Sequence, residues 1–272
     1  MNHLHRELAP ISDEAWKRVD DEARDALHEF LAGRRLVDVD GPHGWAFAAV
    51  PTGAIDAVTT DGPSAETGGG ATTTALRSVL RLVEVRVPFS IDRETLRKVD
   101  RGAPDVALDT VVEAARRAAA IEDDAIFAGL EAADIMGCLS GSEHEPVTYL
   151  TPAEITPAVA EAIAVLQDAG IEGPYGLALD PDAWRSVVAT TDRGYPLIQH
   201  LRLLIDGPVV RAPTLHGGLL VSQRGGDFEL IIGGDLAIGY ESSDATSIEL
   251  YLTESFTFRN LEPAAGAALR QG

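Results

Sequence analysis

The sequence predicts an α+β fold. Two segments, 12–31 and 109–133, carry apolar residues at helical spacing. Strand-like runs crowd the C-terminal part, at 208–212, 219–223, 228–232, 236–240 and 248–258. Helices and strands mix without a regular strand–helix–strand rhythm and without an internal repeat, which separates the chain from parallel α/β architectures.

The first helix reads SDEAWKRVDDEARDALHEFL, residues 12–31. Ser12 can cap it, and Asp13 and Glu14 suit the positive end of the helix dipole. Trp16, Val19, Ala23, Leu27, Phe30 and Leu31 form its apolar stripe, and Gly33 ends it. A short strand follows with Leu36, Val37 and Val39, which places residues 34, 36 and 38 on one face. DVDGPHGW is a turn before a second strand, WAFAAV. Residues 51–75 are rich in Gly and Thr and lack periodicity, so they read as a long functional or flexible loop. From Leu76, LRSVLRLVEVRVPF alternates as one long strand with two mixed faces, a pattern that suits pairing or packing outside its own core. Asp109 is positioned to cap the 109–133 helix of about seven turns, a spine for other elements. Thr156-Pro157 opens another helix that Gly170 closes. The strand YGLALD, a short helix around Trp184, the stretch TTDRGYP and the helix LIQHLRLLI after Pro196 complete the series.

Composition narrows the function classes. The chain has 272 residues, 45% hydrophobic and 24% charged, as one large or two modest globular domains would. No run approaches the ~20 apolar residues that cross a bilayer. MNHLHRELAP carries no signal core, and Cys138 is the one cysteine; both point to the cytoplasm. The formal charge of −21 repels nucleic acid and anionic membranes. Lysine occurs only at Lys17 and Lys98.

Candidate chemistry is sparse. RGGDFELIIGGDLAIGYES, residues 224–242, is glycine-rich. A phosphate cradle needs its glycines between a strand and a helix. Here strand-like segments follow the glycines and no lysine is near, so they read as turns between antiparallel strands. The seven histidines, at 3, 5, 28, 43, 144, 200 and 216, lack metal-site spacing, and no metal or cofactor is expected. GCLSG at 137–141 is not a nucleophile elbow, because its serine is one place late, and Cys138 reads as a buried structural thiol. No catalytic constellation emerges, so the chain reads as a non-enzyme.

Several segments together resemble one family. HRELAPISDEAW near the N-terminus, AGRRLVDVDGPHGW at 32–45, VRVPFSI at 85–91 and IEDDAIFAG at 121–129 are similar to segments of encapsulins. So are DAGIEGPYGLALD at 168–180, GYPL at 194–197, RGGDFELIIGGDLAIGY at 224–240 and the later ELYLTESFTF. The set is in the right order and spans nearly the whole chain. Encapsulins are shell proteins of nanocompartments with the fold of tailed-phage major capsid proteins.

The resemblance implies a P-domain from 1–45, 89–134 and 225–272, an E-loop from 46–88 that reaches a neighbouring subunit, and an A-domain from 135–224. It implies self-assembly into an icosahedral shell of roughly 60 copies or a small multiple. Cargo would enter through its C-terminal targeting peptide, with dye-decolourising peroxidases and ferritin-like proteins the commonest cargo of the family. Carried over, Leu27, Leu31 and Leu36 line the peptide groove, Arg34 and Asp38 contact the peptide, and Asp227, Leu230 and Ile232 form the opposite wall. Ordinary core packing is the alternative role for the leucines. With Arg34, Leu36 and Asp38 on one strand face, Arg34→Ala with Asp38→Ala is expected to leave shells intact and empty them of cargo. The five-fold pore loop becomes Thr190, Thr191, Asp192, Arg193, Gly194 and Tyr195. DRETL at 92–96 lacks the aromatic at which some relatives bind flavin, so no flavin is carried over. Two rival readings remain: a viral capsid protein of the same fold, disfavoured by the acidity and by a start directly at the N-terminal helix, and a bacteriocin- or protease-like enzyme, for which no nucleophile–base set is visible.

Overall fold

A computed structural model describes residues 3–58, 74–192 and 194–272. The helices are α1 (Asp13–Phe30), α2 (Arg93–Asp100), α3 (Asp109–Phe127), α4 (Ile155–Asp168), α5 (Pro181–Ala189) and α6 (Leu197–Ile205). The strands are β1 (Asp38–Asp40), β2 (Ala49–Val58), β3 (Thr74–Arg81), β4 (Val83–Asp92), β5 (Gly129–Leu130), β6 (Ile135–Met136), β7 (Val147–Tyr149) and β8 (Tyr175–Leu179). There follow β9 (Thr191–Asp192), β10 (Tyr195–Pro196), β11 (Val209–Arg211), β12 (Gly218–Ser222), β13 (Phe228–Ile232), β14 (Ala237–Ser243), β15 (Ser247–Asn260) and β16 (Gly266–Gln271). Short 3₁₀ turns include Arg6–Leu8 and Gly33–Arg35. The α+β expectation holds.

The first sheet is built on β15, the longest strand. Along one edge β4 pairs antiparallel from Ser247↔Asp92 to Phe256↔Val83. Along the other, β14 and β13 lie end to end, because Leu252 pairs with Ile238 and Phe256 with Ile232. β1 extends the sheet in parallel on β13. The glycines of 224–242 are structural, as the sequence suggested. Gly225 and Gly226 take positive φ of 86° and 82° in the turn before β13. Gly233 and Gly234 bridge β13 and β14 across Ser255: Gly233 N donates to the Ser255 carbonyl at 2.8 Å and Gly234 N to Ser255 Oγ at 2.8 Å. A Cβ on Gly233 would sit 2.6 Å from that same Oγ, so the close approach requires glycine.

α3 covers this sheet through β4 and β15, and α1 packs on α3. Ser12 caps α1 as expected, its Oγ accepting from Ala15 N at 3.1 Å. The helix closes at Leu31, however, and Gly33 opens the 3₁₀ turn instead. Residues 33–36 are therefore not a strand, and the extended chain begins at Asp38. The spine helix stops at Phe127, short of 133, because the chain turns at Gly129, φ 93°, into the β5–β6 pair. Leu108, not Asp109, is its N-cap. The helix expected to open at Thr156-Pro157 starts at Ile155 instead, behind a 3₁₀ turn, Pro152–Glu154, that carries a capping box of Thr151 and Glu154.

The second sheet has the order β11-β8-β12-β16-β7, with α4, α5 and α6 packed around it. Its fourth strand, Gly266–Gln271, lies outside the first sheet and pairs with β12 and β7. The two sheets share one continuous buried core.

Among the described residues, β2 and β3 form a two-stranded arm paired only with each other. The long strand read from Leu76 breaks at Leu82, whose N–H donates to the Ala48 carbonyl at 3.0 Å. The second strand of the arm thus ends at Arg81, and β4 belongs to the first sheet. The strand read as WAFAAV starts only at Ala49. Parts of the 51–75 stretch are regular, up to Val58 and from Thr74; the remaining residues lie outside the described ones.

Candidate functional site

A buried charge cluster joins α1, α3 and the first sheet. The run AAAIEDDAIF places Glu122 and Asp123 on the buried side of α3, among Ala118, Ala119 and Ile126. The Arg34 guanidinium meets Glu122 through Nε at 2.9 and 3.0 Å and Nη2 at 2.6 Å. It meets Asp235 through Nη1 at 2.9 Å and also donates to Glu254 of β15. Burial works against the Arg34 charge, but the Glu122 bond and the charges of Glu122, Glu254 and Asp235 outweigh it and hold the guanidinium above its ordinary value. Burial, with the negative charge of Glu122, pushes Glu254 well above the usual carboxylate range despite Arg34. Glu254 Oε2 is buried without a hydrogen-bond partner among the described residues. Asp123 accepts from Gly33 N at 2.8 Å and Ala32 N at 3.1 Å. Those bonds favour its charge, yet burial prevails and pushes it up to about 7.

Above this cluster lies an open cleft of about 460 Å³ between α1 and β14. Leu27, His28 and Leu31 form the helix wall, Leu236 and Ile238 the strand wall; Arg34 and Asp235 stand at one end, Arg6 and Asp20 at the other. Leu27 and Leu31 are half-buried, apolar side chains with room beside them.

The structure divides the eight residues expected to dock a peptide. Leu27, Leu31 and Arg34 line this cleft. Leu36, Asp38 and Asp227 line a different, smaller hollow of about 240 Å³. Leu36 is only 2% exposed, because the 3₁₀ turn aims it inward, and Leu230 and Ile232 are core residues at 0% and 2%. Asp38 accepts from Gly226 N at 2.6 Å, and Asp227 is held by Arg224 at 2.8 Å. Residues 34, 36 and 38 share no strand face.

The expected pore loop is a knuckle between α5 and α6. Thr190 caps α5 and its carbonyl accepts from Leu197 N at 3.0 Å. Thr191 and Asp192 pair with Pro196 and Tyr195. Gly194 turns the chain at φ 85°, and the exposed Tyr195 ring stacks on His200 at 5.3 Å. Arg193 lies outside the described residues, as does the side chain of Asp192.

Glu122, Asp123, Glu254 and Asp235 were not singled out from sequence. A usable signal existed: carboxylates interrupting apolar stretches, in AAAIEDDAIF and LYLTESFTF. Cys138 is buried, and burial raises its thiol above the ordinary value. Among the described residues, no group of three or more side chains is arranged to hold a metal ion, and no helix is long and apolar enough to cross a membrane.

A family described as encapsulating protein for peroxidase matches residues 1–257. The type 1 encapsulin shell protein of Rhodospirillum rubrum is 44% identical over 272 residues, covering 99% of this chain and 97% of that one. Among solved structures, the virus-like particle of Pyrococcus furiosus matches with a TM-score of 0.62 at 13% identity, over 93% of this chain and 98% of that one. The capsid of Myoviridae phage XM1 matches with a TM-score of 0.53 at 11% identity, over 86% of this chain and 90% of that one. These likenesses establish the fold of tailed-phage major capsid proteins, and by sequence the chain belongs to the encapsulin family of shell-forming proteins.

Proposed function

We propose that this chain assembles, in roughly 60 copies or a small multiple, into a closed icosahedral shell that encloses a cargo protein held by its C-terminal targeting peptide. The arm takes the E-loop role, the second sheet with its helices the A-domain role, and the first sheet with α1 and α3 the P-domain role. The knuckle at 190–195 is the five-fold pore loop. The cargo class is a peroxidase or a ferritin-like protein, and the shell stands in the cytoplasm.

The observation that carries the shell reading is the arm. An isolated hairpin is marginally stable in water. This one holds Ile55 and Leu76 at 67% and 64% exposure, apolar surface that a neighbouring subunit would cover. Leu76→Asp is expected to leave the circular dichroism spectrum unchanged and to shift size-exclusion elution from particles to small species. Elution as full particles would oppose the arm's role.

Cargo docking is assigned to the α1–β14 cleft rather than to all eight residues carried over. A large apolar side chain gains ~1.5–3 kcal/mol when fully buried. Ordering a flexible tail consumes much of that, so single-site affinity is modest, and many copies per shell compensate. Leu31 offers the clean test, because it lines the cleft without packing on the core. Leu31→Asp is expected to leave particles intact and to lower co-purified cargo about tenfold or more, the effect of ~1.4 kcal/mol or above. Unchanged cargo occupancy would place docking elsewhere.

A further inference from the structure

One guanidinium serves three carboxyl groups where α1 ends. Arg34 gives its Nε–Nη2 fork to Glu122, at 2.6 to 3.0 Å, and its Nη1 to Asp235, on the turn between β13 and β14, at 2.9 Å. Glu254 is left with the Nη2 that Glu122 already occupies, and meets it through Oε1 alone. Its Oε2 is buried without a hydrogen-bond partner among the described residues. An ionised carboxylate needs donors on both oxygens, and two anions on one nitrogen repel each other. A neutral acid at Glu254 avoids both penalties. Burial and the negative charge of Glu122 favour that neutral form. The other charges around the cluster are Asp123 and Asp124 on α3, with Arg24 and His28 of α1, which line the cleft beside Arg34 and Asp235.

The same cluster fastens a helix end. Ala32 N and Gly33 N donate to Asp123, Arg34 reaches Glu122, and a Cβ on Gly33 would meet Ile126 at 2.5 Å, so the turn after α1 lies directly on α3. Glu254 ties that turn to β15 as well. We propose that Glu254, kept as the neutral acid beside the Arg34–Glu122 pair, is a proton-operated latch. While it holds its proton, the turn and the C-terminal end of α1 stay on α3 and β15; when the proton leaves, they lift off with both sheets still folded. The closed site offers a second carboxylate neither water nor a free donor, whereas the lifted site hydrates it. Lifting is therefore suppressed at acid pH and grows about tenfold per pH unit above the ordinary glutamate value of 4.5, one proton leaving with each opening. Because α1 is one wall of the cleft beside β14, lifting widens that cleft.

Hydrogen exchange read by mass spectrometry at about pH 6, 7 and 8, with each rate divided by the intrinsic exchange rate at that pH, measures the lifting. Asp123→Asn is the background, because Asp123 titrates beside the same amides. In it, residues 27–37 are expected to open about tenfold more per pH unit, while β8 and β12 of the second sheet stay level. Glu254→Gln in that background keeps the side chain's shape and removes the acid. Opening of residues 27–37 is then expected to change by less than about threefold over the whole range. A merely structural role for Glu254 would move the level of exchange and leave its slope. A level profile in Asp123→Asn overturns the proposal, as does a slope that survives Glu254→Gln or a second sheet that opens in step with α1. Infrared spectroscopy gives a second reading that does not depend on a folded Glu254 variant. At neutral pH, Asp123→Asn is expected to retain the C=O band of a protonated carboxyl group, and absence of that band overturns the proposal.

Discussion

Arg34→Ala is expected to cost about 3–5 kcal/mol of subunit stability, the range for removing one partner of a buried ion pair. The reason lies in what stays behind. Glu122 and Glu254 are 0% and 1% exposed, and Arg34 is the cation that both meet. Without it two carboxyl groups remain in a poorly solvated site, one of them with an oxygen already unpartnered. Beside the expectation that Arg34→Ala with Asp38→Ala spares the shell and removes cargo stands this second expected outcome, a loss of subunit stability. Particle yield falls with this variant whatever the cargo does. Adding Glu122→Gln and Glu254→Gln removes the stranded carboxyl groups and is expected to restore much of the loss, a coupling that a multiple-mutant cycle measures. Urea unfolding midpoints of the parent, Arg34→Ala, Glu122→Gln with Glu254→Gln, and the chain with all three changes decide it. An Arg34→Ala chain as stable as the parent would show that the cluster is not a stabilising unit.

Stability is also expected to fall as pH rises from about 5 to 8. The Asp123 carboxyl has an ordinary value of 3.8 and is pushed up to about 7 in the fold. Between those values the folded chain keeps a proton that the unfolded chain has released. The stability present below about pH 4 is then lost as pH climbs through 7. At ~1.4 kcal/mol per pH unit, the loss between pH 5 and 8 is about 3 kcal/mol. Glu254 shifts in the same direction and adds to the slope. The net charge of −21 contributes a further rise in repulsion, which Asp123→Asn separates out. Asparagine keeps an acceptor oxygen for Ala32 N and Gly33 N while carrying no titrating proton. Urea midpoints at the two pH values are expected to converge in this variant relative to the parent. A parent midpoint that stays level or rises with pH would contradict the account of Asp123.

The sequence made the elements legible where the physics is local. Ser12 is the cap it promised to be, Gly170 closes α4, and the glycines at 225, 226, 233 and 234 are turns and close approaches of a sheet. Local reading failed where a partner distant in sequence decides. Leu36 looked like one face of a strand, but the 3₁₀ turn at Gly33–Arg35 turns it into the core; that turn exists because α3 offers Asp123 to the Ala32 and Gly33 amides. Leu230 and Ile232 alternate as any half-exposed strand would, yet both are covered. The last strand, 266–271, crosses to the second sheet through pairings with residues 45 or more positions upstream. Arg34 was named for its role toward a peptide, while its partners on α3 and β15 lie 88 and 220 residues away, beyond any spacing argument. The cleft beside α1 was foreshadowed by Leu27 and Leu31, because a helix stripe wider than the core needs leaves apolar residues at its margin.

The central claim is that this chain builds a closed container. Negative-stain electron microscopy of the purified protein at neutral pH tests it most directly. Hollow particles of uniform diameter are expected, each enclosing density when cargo is co-expressed and empty when it is not. A field of monomers or dimers, with the subunit folded by circular dichroism, would contradict the account.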